Sequence, residues 1–226
     1  MQYFLEHFAI AVAAISGVLA ARGKKVDLFG VLVLALVTAF GGGTVRDLMV
    51  GDLPVNWIRD SNFLATASAV AVLAFFLVRF YEIPRSGMLV ADAFALALFT
   101  VIGTKKGLAF HVTPSVAVAM GVITGVAGGI IRDVLTGEIP LVFRPHIYLY
   151  ATAALIGATI FVLTARVLPN EQWPMLLSMA VTLTLRLAAI RWKLKLPVYE
   201  SKEAIVPVSI QQTKDTIVSG RNQNLL

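Results

Sequence analysis

Two short motifs that combine glycines with a charged pair are the residues of this chain best suited to chemistry. Residues 42–47 read Gly-Gly-Thr-Val-Arg-Asp and residues 128–133 read Gly-Gly-Ile-Ile-Arg-Asp. Each glycine disfavours a helix interior by about 1 kcal/mol relative to Ala. The motifs therefore predict helices that are kinked or unwound, with backbone carbonyls freed as cation ligands.

The carbonyls of Gly41, Gly42 and Gly128 are candidate ligands for a monovalent cation. Tight helix packing is the alternative interpretation, because small residues let two backbones approach each other. The candidate pathway residues are Gly41, Gly42, Gly43, Arg46, Asp47, Lys106, Gly128, Gly129, Arg132 and Asp133.

The charged pairs that follow the glycines predict either an ion-pair network or a positive gate. Adjacent helical residues point about 100° apart, so neither Arg-Asp pair is expected to close on itself. Glu6 and Asp92 are the expected counter-charges. Arg186 either pairs with an acid or extends to the membrane interface, and Lys106 either anchors a helix end or lines the mouth of the pathway.

These residues must be positioned by membrane-spanning helices. Apolar residues make up 58% of the 226-residue chain and charged residues 14%, against about 45–50% and 25% in soluble domains. This composition excludes a cytosolic globular enzyme, a disordered regulator and a nucleic-acid module. The net charge of +6 is interpreted as a mark of cytoplasmic loops and anionic lipid headgroups.

Seven apolar stretches approach the roughly 20 residues that a bilayer span needs. Three of them contain one charged residue each: Glu6, Asp92 or Arg186. The spans are residues 3–21, 28–45, 61–78, 87–104, 107–131, 147–165 and 172–190.

An internal duplication organises the spans. Positions 86 apart pair the two glycine motifs, and residues 51–54 (Gly-Asp-Leu-Pro) with residues 137–140 (Gly-Glu-Ile-Pro). Three spans per copy predict an inverted repeat. We therefore predict one all-α transmembrane domain over 1–192. It comprises repeats at 3–80 and 89–166, a seventh helix at 172–192, and a polar, flexible tail at 193–226.

No catalytic or cofactor-binding signature accompanies these motifs. The sequence has no cysteine, no phosphate-binding Gly-x-x-x-x-Gly-Lys-[Ser/Thr] loop and no Gly-x-Ser-x-Gly run. Its three histidines lack metal-ligand spacing. We predict no enzymatic activity, no cofactor, and neither a nucleotide nor a nucleic-acid partner.

The doubled motif, with residues 14–17 (Ala-Ile-Ser-Gly) and 102–106 (Ile-Gly-Thr-Lys-Lys), resembles the prokaryotic branch of the trimeric intracellular cation (TRIC) channel family. The resemblance covers about residues 3–192. It implies seven helices, a homotrimer, membrane lipids as partners, and one potassium-permeable pore per protomer lined by the kinked second and fifth spans. Two positions depart from the pattern: Ala127 replaces a glycine, and Glu6 stands where Asp is expected.

Three functions therefore stay open at this point. The preferred one is a monovalent cation channel with potassium or sodium as the permeant ion. The alternative is a carrier of a small amino acid such as glycine, because a broken helix offers carbonyls to an ammonium and a positive end to a carboxylate. The third is a structural membrane scaffold.

The distribution of Lys and Arg predicts the orientation in a prokaryotic inner membrane. With Arg46, Arg132 and Arg186 set aside as possible intramembrane charges, nine of these residues up to Lys195 fall on the side of the C-terminus and four on the side of the N-terminus. The positive-inside rule then places the N-terminus outside and the C-terminus in the cytoplasm.

A reporter enzyme fused after Leu226 tests this orientation. We expect activity from a reporter that works only in the cytoplasm, and activity from one that works only in the periplasm would contradict the assignment.

Overall fold

The chain folds into an α-helical unit, seen in a computed structural model that describes residues 1–81, 84, 86–144, 149–168, 170 and 172–193. Within these residues the regular elements are helices, with no strand. They are α1 (Gln2–Ala20), α2 (Leu28–Val50), α3 (Asn56–Arg59), α4 (Ser61–Phe80), α5 (Ser86–Ala109), α6 (Pro114–Leu135), α7 (Tyr150–Thr164) and α8 (Gln172–Trp192). The predicted tail lies outside the described residues, apart from Lys193.

The expected multi-span helical architecture is confirmed. Six helices are long and apolar enough to cross a membrane: α1, α2, α4, α5, α6 and α8. The remaining predicted span corresponds to α7, which has 15 residues and is shorter than the usual span. The short α3 is a single turn between the second and third spans.

The ends of α2 and α6 are built in the same way. A glycine in the left-handed conformation follows each helix within two residues, with φ of 69° at Gly51 and 70° at Gly137. The next residue folds back in both copies, because the N–H of Asp52 donates to the Asp47 carbonyl and that of Glu138 to the Asp133 carbonyl, both at 2.9 Å. This glycine-ended turn is a common helix stop.

Helix α5 lies at the centre of the bundle and packs against α1, α6, α7 and α8. Its buried face includes Asp92 and runs to Gly107. Small residues dominate the main core, where Ala9, Ala13 and Ala14 of α1 are almost fully buried. Such residues let helices approach closely where lipid gives little hydrophobic drive for association.

Helices α2 and α6 cross in antiparallel directions at the two glycine motifs. A Cβ on Gly42 would lie 2.1 Å from the Thr124 carbonyl oxygen, and one on Gly128 would lie 2.4 Å from that of Thr38. The two backbones therefore touch. Thr38 and Thr124 are also 86 residues apart. The contact is therefore made twice: the glycine of each copy meets the threonine of the other copy.

Of the two predicted outcomes, a kinked or an unwound helix, the unwound one is wrong, and the kink stays a prediction. Helix is continuous over Leu28–Val50 and Pro114–Leu135, so the carbonyls of Gly41, Gly42 and Gly128 are not released by a helix break. The close packing of α2 against α6 needs glycine at the contact and outweighs the low helix propensity of that residue.

Substituting Gly42 tests this contact against a matched neighbour. Gly42→Ala is expected to lower the free energy of unfolding by about 1–3 kcal/mol, since its methyl group overlaps the backbone of α6. Gly43→Ala should be neutral or stabilising, because the nearest atom to its Cβ is the Arg46 guanidinium at 3.8 Å. Thermal unfolding in detergent measures both, and equal effects would contradict the packing role.

Candidate functional site

Four cavities follow one another along α1 and the α2–α6 crossing. The first vestibule, of about 220 Å³, is lined by Glu6, Asp52 and Lys106. A narrow pocket of about 30 Å³ follows between Ile10 and Gly43. The middle cavity, of about 10 Å³, lies at the crossing. The second vestibule, of about 610 Å³, opens at the far end.

The order of these cavities follows the residues of α1. Glu6 lines the first vestibule, Ile10 the narrow pocket, Ser16 the middle cavity and Ala20 the second vestibule. At a rise of 1.5 Å per residue, the row extends about 21 Å from Glu6 to Ala20. This is most of the thickness of a hydrocarbon core.

The middle cavity is the narrowest point and carries polar oxygens. Thr38 and Thr124 line it from the two crossing helices, together with Ser16 and Asp92. Both threonine hydroxyls donate at 2.6 Å to carbonyls one turn earlier in their own helices, so their oxygens keep lone pairs to accept further bonds. The volume is enough for about one water molecule.

Lys106 binds two carboxylates at the first vestibule. Its Nζ lies 2.6 Å from Asp47 Oδ1 and 2.5 Å from Asp52 Oδ2, so it links the end of α5 to the end of α2. Arg59 also reaches Asp52, at 2.7 Å. Hydrogen bonds from Lys106 and then from Arg59 lower the pKa of Asp52 to about 2. Asp52 therefore stays ionised in neutral and mildly acidic solution, and its stabilising effect is lost as the pH falls through about 2.

Arg46 and Asp47 close on each other, contrary to the prediction. The Arg46 guanidinium lies 2.7–2.8 Å from Asp47 Oδ1. The long arginine side chain bends back along the helix, while the Asn56 backbone N–H holds the other Asp47 oxygen at 2.9 Å. Glu6 lines the same narrow pocket as Arg46 and accepts hydrogen bonds from the side chains of Gln2 and Asn56.

The second motif makes the equivalent pair and extends it. Arg132 Nε donates to Asp133 Oδ1 at 2.8 Å, and the Leu141 backbone N–H holds the other Asp133 oxygen, also at 2.8 Å. Arg132 Nη1 further donates to Asp92 Oδ1 at 2.9 Å and to Ser16 Oγ at 2.5 Å. Arg132 therefore connects α6 to α5 and α1 in the core of the bundle.

Arg186 of α8 joins this second cluster from the other side. Its guanidinium is 3.8 Å from Asp92 Oδ2 and lies 4.6 Å from the centre of the Tyr150 ring. Because Arg186 is fully buried, it pairs inside the bundle and does not extend to the interface. A buried carboxylate between two arginines is costly to desolvate and depends on its partners.

The second vestibule contains an ion pair that the sequence analysis did not assign. Lys24 Nζ lies 2.5 Å from Glu138 Oε1 and Arg144 lies 3.4 Å from Glu138 Oε2. The hydrogen bond from Lys24 lowers the pKa of Glu138. Glu138 follows the glycine stop of α6 as Asp52 follows that of α2, so the repeated Gly-acid sequence was the available signal.

The two vestibules thus contain equivalent ion pairs, each joining a lysine from one repeat copy to an acid from the other. A lysine beyond the end of α1 reaches the acid after α6, and a lysine near the end of α5 reaches the acid after α2. The predicted site residues fall into three groups: the α2–α6 crossing, the Arg46–Asp47–Lys106 cluster and the Asp92–Arg132–Arg186 cluster.

Comparison with known sequences identifies relatives over most of the chain. A protein-family model described as glycine transporter matches residues 3–79 and 89–166. The UPF0126 inner membrane protein YadS of Escherichia coli K12 is 47% identical over 204 residues, which are 89% of this chain and 97% of that protein. A UPF0126 membrane protein of Vibrio cholerae is 46% identical over 204 residues, covering 87% and 82% of the two chains.

Solved structures share the fold. A TRIC trimeric intracellular cation channel orthologue from Rhodobacter sphaeroides superposes with a TM-score of 0.80 and 36% identity, covering 85% of this chain and 98% of that one. A second structure, described in terms of conductance through TRIC cation channels, has a TM-score of 0.79 and 32% identity and covers 89% and 98%.

Neutralising Asp92 tests the buried cluster. Asp92→Asn is expected to lower the free energy of unfolding by about 3–5 kcal/mol, because Arg132 loses a buried counter-charge. Asp52→Asn removes the two ion pairs with Lys106 and Arg59 in the more exposed vestibule and should cost about 1 kcal/mol. Chemical denaturation of both variants in detergent gives the comparison, and a smaller loss for Asp92→Asn would contradict the cluster's structural role.

Proposed function

Because this chain belongs to the prokaryotic branch of the TRIC channel family, we propose that it is a cation channel that conducts potassium through a pore within each protomer. The pore follows the row of four cavities, with α2 and α6, the second and fifth spans, as its main walls. That row is the observation on which the proposal rests. It extends along α1 for about 21 Å, and its two small cavities, the narrow pocket and the middle cavity, lie between the two vestibules.

The charges along the row of cavities are compatible with the passage of cations. Arg46 is neutralised by Asp47, and Arg132 by Asp133 and Asp92. The arginines therefore do not present a net positive barrier. The constriction offers hydroxyl oxygens of Thr38 and Thr124 and a carboxylate oxygen of Asp92, and cations such as potassium prefer oxygen ligands.

The conformation described is closed. Gly42 and Gly128 hold the two helices in backbone contact, and the middle cavity has room for about one water molecule. Conduction therefore requires α2 and α6 to separate at the glycines. Breaking the Lys106 ion pairs with Asp47 and Asp52 would release one end of α2 for this movement.

The proposal includes the setting in which the channel works. We include assembly as a homotrimer among membrane lipids, which is supported by the description of the similar Rhodobacter sphaeroides structure as a trimeric channel orthologue. The Lys and Arg distribution supports a cytoplasmic C-terminus. The name of the E. coli relative, an inner membrane protein, supports location in the inner membrane.

Glycine transport is the second candidate. Both vestibules hold ionic groups of the two signs, such as Lys106 with Asp52 and Lys24 with Glu138. Glycine is a zwitterion, so its ammonium group could pair with the acid of a vestibule and its carboxylate with the lysine. The description of the matching family model agrees with this alternative.

Planar-bilayer recording of the purified protein separates the candidates. A channel should give picoampere current steps, and under opposed potassium and chloride gradients the reversal potential should follow potassium. A carrier should give saturable glycine uptake into liposomes without such steps. Glycine uptake without unitary currents would overturn the proposal.

Removing the Lys106 charge tests the proposed gate. Lys106→Gln should raise the open probability several-fold, because α5 loses its ionic link to the end of α2. Lys193→Gln, an equal charge change at the exposed end of α8, is the matched control and should leave single-channel currents unchanged. A reduced or unaltered open probability for Lys106→Gln would contradict the role of this ion pair.

A further inference from the structure

A fifth cavity, of about 280 Å³, lies where the ends of α1 and α4 meet the start of α2, and it shares Arg22 and Gly23 with the second vestibule. We call it the basic cavity. Its cationic lining residues are Arg22, Lys25 and Arg79, and none of the described residues that line it is acidic. Its remaining wall is apolar and includes Val18, Val31, Phe75 and Val78.

We propose that the basic cavity binds the phosphodiester headgroup of an anionic phospholipid, whose acyl chains run along the outer face of α4. This lipid site is distinct from the middle cavity and from the narrow pocket. The proposal is independent of whether the protein conducts ions or carries glycine.

Two cations of the basic cavity, Lys25 and Arg79, carry the argument for an anionic ligand. Lys24 pairs with Glu138 at the second vestibule, whereas its neighbour Lys25 lines the basic cavity. Among the described residues, neither Lys25 nor Arg79 has an ion pair with an acid. Each cation near a membrane surface favours an anionic lipid by about 1 kcal/mol, and here the cations converge on one concave site.

The apolar part of the site favours a lipid over a free anion. Val18 and Val31 are buried at the base of the cavity, and Phe75 and Val78 form its side. A small phosphate ion would use only the cations. A phospholipid would also cover this apolar wall and the neighbouring exposed residues of α4, Leu73, Phe76 and Leu77, which adds hydrophobic contact to the ionic attraction.

The duplicated half of the chain provides an internal comparison. Lys25 and His111 are 86 residues apart and share the left-handed conformation, with φ of 47° and 56°. The turn between the first two helices of each copy therefore has the same unusual backbone. The positions equivalent to Arg22 and Arg79 are Leu108 and Ala165, so the turn does not need the cations in order to form.

Lipid binding can be measured by native mass spectrometry of the full-length protein in neutral detergent. Dioleoylphosphatidylglycerol, dioleoylphosphatidylcholine and inorganic phosphate are the three probes. We expect phosphatidylglycerol to bind more tightly than phosphatidylcholine, and inorganic phosphate at the same concentration neither to bind nor to displace it. Lys25→Gln and Arg79→Gln should each weaken phosphatidylglycerol binding about fivefold.

Matched variants separate a built site from a general charge effect. Arg166→Gln makes the same change just beyond the end of α7, the helix equivalent to α4, and should leave binding unchanged. Arg79→Lys should retain most of the affinity. Equal weakening by Arg79→Gln and Arg166→Gln, or a wild-type protein without preference for phosphatidylglycerol, would overturn the proposal.

Two further results complete the test. One distinguishes a lipid from a simple anion, and the other keeps the test decisive if a variant does not fold. Displacement of phosphatidylglycerol by inorganic phosphate at the same concentration would overturn the lipid assignment, because it would show a simple anion site. If Arg79→Gln does not fold, the exposed turn variant Lys25→Gln decides the question alone, and undiminished lipid binding by it would overturn the proposal.

Discussion

The backbone contact between α2 and α6 is the constraint on which the rest of the bundle depends. Gly42 and Gly128 remove the side chains that would separate the two helices, so each helix meets a carbonyl of the other near its middle. The antiparallel crossing then places the two Arg-Asp pairs toward opposite ends of the bundle. The same contact divides the row of cavities into two vestibules and makes the middle cavity the narrowest point.

The ionic clusters of the two repeat copies differ in how deeply they are buried. Around Asp92, residues of α1, α5, α6, α7 and α8 meet in one buried cluster. The equivalent position in the first copy, Glu6, accepts bonds from amide side chains at a partly exposed vestibule. The eighth helix explains the difference, because it supplies Arg186 to the second copy alone. Burial makes the second cluster costly to disturb, whereas the first is open to solvent.

The spans and their approximate bounds were predictable because a stretch of about 20 apolar residues with few charges is typical of a membrane-spanning helix. The motif spacing also indicated which helices meet. The continuous helices through Gly42 and Gly128 were not predictable, since intrinsic propensity is overridden by packing that only the fold reveals. The repeated Gly-acid sequence marked Glu138, but its partner Lys24 is 114 residues away, and no local pattern encodes that partner. The closure of Arg46 on Asp47 depended on the bend of one long side chain.

The double use of Asp47 and Asp133 has a mechanical consequence. One oxygen of each carboxylate holds the arginine beside it, and the other holds a backbone N–H in the loop that follows the helix. Helix end, arginine and loop are thus joined through one carboxylate in each copy. A displacement of either loop would therefore pull on an arginine that is buried in the bundle.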